Sequence, residues 1–215
     1  MDAGQDYLLI VEDDPDILKL LDATLTFKGY RVITAQNGKD GLEAIRAKHP
    51  AIVITDIMMP KLDGFGLVHR IRLNPETRDI PVVFITATYV AREDREFALD
   101  IGATHFLQKP VDLEKFLATI AELMERGLPA VIKPLNELEF YREYRKRLQS
   151  KLEEKNKQIA REEHLLRTTA TRVDSSVQIS LRHAIRERDE LKLLIEQIHD
   201  QMENTSGQTS GHAMG

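Results

Sequence analysis

Four short apolar runs in the first half of the chain each end in a residue able to do chemistry. The run 7–11 (YLLIV) is followed by Glu12, Asp13 and Asp14, and the run 51–55 (AIVIT) by Asp56. The run 81–86 (PVVFIT) ends on Thr86, and the run 104–108 is followed by Lys109. Carboxylates brought together repel one another, which raises their pKa values unless a cation intervenes. Hard carboxylate oxygens suit Mg²⁺, which binds one or two of them and keeps waters that phosphate oxygens can replace. An aspartate beside such an ion can attack phosphorus and become an aspartyl phosphate. A lysine offers a point charge to one phosphoryl oxygen, and a threonine hydroxyl donates to another. Catalysis would then be positioning plus charge neutralisation.

These residues must be carried to one place by the elements between them. Apolar runs of four to six residues read as buried strands at 7–11, 30–35, 51–55, 81–86 and 104–108. Between them the spacing predicts helices. The first opens at Pro15, carries Ile17, Leu18, Leu21 and Leu25 inward and stops at Gly29. The others cover 38–48, 65–73, 92–101 and 112–126, with Asp112 as an N-cap. Strands alternating with helices imply a doubly wound α/β fold, a parallel sheet covered on both faces. Ligands of such folds sit at the carboxyl ends of the strands. The four polar positions would therefore share one rim.

These motifs, in this order, resemble the receiver domains of two-component response regulators, the group that includes the chemotaxis regulator. IVEDD at 10–14, DIMMPKLDG at 56–64, FITAT at 84–88 and GATHFLQKP at 102–110 carry the resemblance, which covers residues 6–127. It implies a flavodoxin-like five-stranded sheet of order 2-1-3-4-5. It also implies Asp56 as phosphoacceptor, with Mg²⁺ held by Glu12, Asp13, Asp56 and the backbone carbonyl of Met58. Lys109 would contact the phosphoryl group, Thr86 and Phe106 would form the switch pair, and Lys109–Pro110 would be a cis peptide. The implied partner is a histidine kinase or phosphotransfer protein. Such a domain catalyses its own phosphorylation and dephosphorylation without turning over an external substrate. Plainer readings stand beside these. Asp14 and Asp16 read equally as helix caps, Asp63-Gly64 as turn chemistry, and Met58, Met59 and Phe106 as packing.

The chain has 215 residues, no cysteine and a net charge of -5. The lack of cysteine excludes disulfides and suits the cytoplasm. No stretch is apolar enough to span a membrane, and the N-terminus does not read as a secretory signal. The acidic balance argues against nucleic-acid binding. Residues 1–127 carry a net -6 and residues 128–215 a net +1, and no glycine stands between Gly127 and Gly207. The expected division is a receiver domain at 1–127, a linker at 128–134, a helical element at 135–203 and a disordered tail at 204–215.

Leu138, Tyr141, Arg145, Leu148, Leu152, Lys155, Ile159, Glu162, Leu166, Thr169 and Val173 make a weak seam. Leu181, Ala184, Arg188, Leu191, Ile195, Ile198 and Met202 make a better one. Between them lies TTATRVDSSVQIS, whose residues are poor in helix interiors, with Asp174 or Ser175 able to cap a new helix. The extension is therefore a continuous coiled coil or an antiparallel hairpin, expected to form a homodimer and to act on an output partner that the sequence does not name. His164-Leu165-Leu166-Arg167-Thr168 is similar to the H-E-L-R-T segment of histidine-kinase dimerisation helices. It makes a phosphotransfer or phosphatase-like four-helix bundle using His164 an alternative, although Leu165 stands where that family has an acid. A third reading is a stalk to a further output domain.

Overall fold

A computed structural model describes residues 7–87, 92–126, 135–168 and 175–211. They fall into two compact units, one up to Leu135 and one from Asn136.

In the first unit strands and helices alternate: β1 (Tyr7–Val11), α1 (Pro15–Phe27), β2 (Arg31–Ala35), α2 (Gly38–Ala47), β3 (Ile52–Thr55), α3 (Gly64–Leu73), β4 (Val82–Thr86), α4 (Arg92–Asp100), β5 (His105–Gln108) and α5 (Leu113–Arg126). The sheet is parallel throughout, in the order β2-β1-β3-β4-β5. Strands β1, β3 and β4 are buried along their whole length, while the edge strand β2 is largely exposed and the edge strand β5 half-buried. That is why the central runs are continuously apolar and β2 is not. Leu8, Ile10, Ile52, Ile54, Val83 and Ile85 pack with Leu21 and Leu25 of α1 and Phe116, Ile120 and Leu123 of α5. Each such side chain contributes roughly 1.5–3 kcal/mol by leaving water. Alternate strand residues turn to the other face, where Phe65 meets Phe84 and Phe97 edge-on at 5.3 and 5.1 Å between ring centroids.

Helix starts are fixed by side chains that take up otherwise unpaired amides. Asp14 accepts from the amides of Asp16 and Ile17, and Pro15 opens α1. Asp63 accepts from the Gly66 amide at the start of α3, and Asp112 from those of Glu114 and Lys115 at the start of α5. Asp14 is thus a cap, as the plainer reading had it.

The second unit settles the choice between a continuous helix and a hairpin. Helices α6 (Glu137–Thr168) and α7 (Ser175–Gly211) pack on one another. Lys155 pairs with Glu187 at 2.6 Å, and Ser180 donates to Glu162 at 2.8 Å. Moving forward from 155 to 162 on α6 moves backward from 187 to 180 on α7, so the pair is antiparallel. Both sequence seams contribute to the interface, which buries Tyr141, Leu148, Ile159, Ala184, Leu191 and Ile198. Phe140, Tyr144 and Leu194, outside those seams, are buried as well. Helix α7 continues to Gly211, into the stretch expected as a tail at 204–215. A helix already nucleated extends at little cost through residues of modest propensity. The expected linker 128–134, Asp174 and residues 212–215 lie outside the described residues.

Candidate functional site

The strand ends bring Glu12, Asp13 and Asp56 together. One carboxylate oxygen from each lies within 4.8 Å of the others, Glu12 and Asp56 buried and Asp13 exposed. Lys109 reaches across from the end of β5. Its Nζ stands 2.7 Å from Asp56 Oδ2, 2.8 Å from Glu12 Oε2 and 3.1 Å from Glu12 Oε1. One ammonium faces three acids, so repulsion is only partly relieved. Burial, and then the Asp56 charge, push the Glu12 carboxyl up to about 7 despite its contact with Lys109. Burial and Asp56 also raise Asp13. Burial opposes the charge on Lys109, but the Asp56 and Glu12 carboxylates outweigh it and raise its pKa. The donor set is hard oxygen with surplus negative charge, and it fits Mg²⁺.

Thr86 is buried at the end of β4, and its carbonyl accepts from the Lys109 amide at 2.9 Å. The hydroxyl-bearing residue and the lysine are thereby tied to each other across the sheet. Lys109–Pro110 is cis. Phe106 is half-buried, opposite Phe84 in register, and does not join the acid cluster. Met58 is half-buried in the loop after Asp56, and Met59 is buried. His164 is exposed on α6 in the second unit.

Two residues matter more here than their sequence context indicates. A Cβ on Gly64 would collide with the Asp56 carbonyl and come within 2.9 Å of the Ile57 Cα. Only glycine lets the loop close on the end of β3, where its amide donates to the Ile57 carbonyl at 2.8 Å. Its sequence signal was the Asp-Gly pair before a helix, read there as ordinary turn chemistry. Arg72 is buried, donating to the carbonyls of Gly102, Ile80 and Arg78. Nothing in its spacing distinguished it from a surface arginine.

An acid cluster bridged by a lysine at the carboxyl edge of a parallel five-stranded sheet defines a class, and comparison with known proteins agrees. Residues 8–121 match the response regulator receiver domain, and the chain belongs to that family. It is 36% identical over 127 residues to the protein named Probable transcriptional regulator ycf27 of Pyropia yezoensis, a match covering 59% of this chain and 51% of that one. It is 37% identical over 119 residues to the DNA-binding dual master transcriptional regulator RpaA of Synechocystis, covering 55% of this chain and 49% of that one. The chain thus spans about half the length of the curated relatives it matches. Among solved structures, a CheY-like receiver domain protein of Methanospirillum hungatei superposes with a TM-score of 0.52 at 29% identity, covering 57% of this chain and 95% of that one. CheY4 of Vibrio cholerae gives 0.52 at 28%, covering 55% and 98%. No helix among the described residues is long and apolar enough to cross a membrane.

Proposed function

We propose that Asp56 accepts a phosphoryl group from a histidine kinase or phosphotransfer protein and that the α6–α7 hairpin carries the response outward. The observation behind this is the Lys109 bridge, which holds its ammonium against Asp56 and Glu12 with Asp13 alongside. An Asp56 oxygen attacks phosphorus, and the donor's bond to phosphorus breaks with its electron pair leaving on the donor. Mg²⁺, held by Glu12, Asp13, Asp56 and the Met58 carbonyl, would neutralise charge on the transferring group. Lys109 binds a phosphoryl oxygen and the Thr86 hydroxyl another, and Phe106 turns inward as Thr86 is drawn over. The receiver would catalyse this on itself, in the cytoplasm, without turning over an external substrate. A radiolabelled small acyl-phosphate donor should label the wild type only with Mg²⁺ and should not label Asp56→Asn. Stoichiometric labelling of that variant would overturn the assignment.

The receiver family supplies the switch and the hairpin is the output, through a second copy or another protein. The net charge of -5 supports a protein rather than a nucleic-acid partner. Within the hairpin the apolar seams already cover each other, while Leu165, Ile179 and Leu193 stay exposed. A homodimer, as a four-helix bundle, would use these. Sedimentation of the full chain against one ending at Arg126 tests it. A monomeric mass for each of the two chains would leave a different partner protein as the target.

A further inference from the structure

Phe106 is held from two sides. On its inner side it ends an edge-on row of four rings. Phe97 lies 5.1 Å from Phe65, Phe65 5.3 Å from Phe84, and Phe84 6.4 Å from Phe106, between centroids. The row runs from α4 through the first turn of α3 and across β4 to β5. Phe97, Phe65 and Phe84 are fully buried, and Phe106 is the half-open end. On its outer side the Arg95 guanidinium carbon lies 5.5 Å from the centroid of the Phe106 ring. Arg95 and Phe97 both belong to α4, so that helix touches both ends of the row. Arg92 is engaged with Glu96 at 2.8 Å, and no ion pair involves Arg95 among the described residues.

We propose that Arg95 is a latch, a positioning residue that holds Phe106 in its half-open place at the end of the row and so opposes the phosphorylated arrangement. This rests on the reading above in which Phe106 turns inward. A cation within about 6 Å of a ring face is attracted by the ring quadrupole. Turning Phe106 inward carries its face away from Arg95, and the attraction is lost. An interaction present in only one of two arrangements weakens every ligand that selects the other. Phosphorylation therefore has to break this contact, and α4 is released from the open end of the row when it breaks. The gripped end at Phe97 stays buried, which makes α4 pivot rather than detach.

The test uses the full chain, with Mg²⁺ and beryllofluoride as the phosphoryl mimic, and reads the apparent dissociation constant by NMR titration. Arg95→Met keeps an unbranched flexible stem and removes the guanidinium and its charge. It should bind the mimic roughly two- to five-fold more tightly than wild type. Arg95→Lys keeps a cation over the ring and should stay near wild type. A merely structural arginine would on removal lower the melting temperature and leave binding unchanged or weaker. Unchanged or weaker binding by Arg95→Met, beside normal binding by wild type, would overturn the latch alone. So would an Arg95→Lys variant that behaves like Arg95→Met. A folded wild type that binds no mimic would overturn the phosphorylation reading and the latch with it.

Discussion

The Lys109 ammonium stands 2.7 Å from the Asp56 carboxylate, although the two residues are 53 positions apart in the chain. Both side chains are nearly closed to solvent, as is that of Glu12. Removing one partner of a buried ion pair costs about 3–5 kcal/mol, because the remaining charge is left uncompensated. Lys109→Met should therefore lose stability on that scale without divalent cation and recover much of it in millimolar Mg²⁺. Urea unfolding of wild type and variant, with and without the ion, measures this. If Mg²⁺ stabilises both proteins equally, surplus negative charge is not what the lysine relieves.

His69 gives the receiver an acid-sensitive point. Burial, aided by Arg70, pushes its pKa down to about 4, against an unfolded value near 6.5. A folded pKa depressed in this way means that the unfolded chain binds the proton first as pH falls. The contribution of neutral His69 is complete above about pH 6.5 and is lost progressively as pH falls towards 4. It amounts to about 3 kcal/mol. His69→Leu should remove this component, so its stability should fall less than that of wild type between pH 7 and 4.5. Parallel stability curves would mean that another group sets the acid limit.

Gly102 should resist substitution. Its φ is +103°, and an added Cβ would meet Arg72 Nε at 2.7 Å and its Cδ and Cγ at 3.0 Å. Arg72 cannot easily move aside, since its guanidinium donates to three backbone carbonyls. Gly102→Ala should cost about 1–3 kcal/mol. Chemical denaturation reads the loss, and a change below about 0.5 kcal/mol would show that Arg72 repacks freely.

Leu148 tests the hairpin. It is fully buried in the interface of α6 and α7. Leu148→Ala should destabilise that unit by about 2–5 kcal/mol. Amide exchange should quicken along α6 and α7 and stay unchanged in the sheet, with phosphorylation of Asp56 unaffected. Equal loss of protection across the sheet would mean that the two units unfold together.

Much of the receiver was legible because its signals are local. Uninterrupted apolar runs, prolines at helix starts and acids at strand ends each follow from short-range physics. Together they place Glu12, Asp13, Asp56, Thr86 and Lys109 at strand ends. Parallel strands put those ends on one rim, and the order β2-β1-β3-β4-β5 makes them neighbours there. Whether Asp14 caps a helix or joins the acid cluster depended on where its oxygen points, and only the folded backbone decided that. Gly64 and Arg72 were illegible for the same reason. Their importance comes from what stands against them, the Asp56 carbonyl in one case and three loop carbonyls in the other. In the extension, periodicity determined helix and the positions of both seams. It could not determine whether the seams met within one chain or between chains, because an apolar stripe is satisfied equally by either. The register of Lys155 with Glu187 and Glu162 with Ser180 made that choice, and such pairing exists only once α7 has folded back on α6.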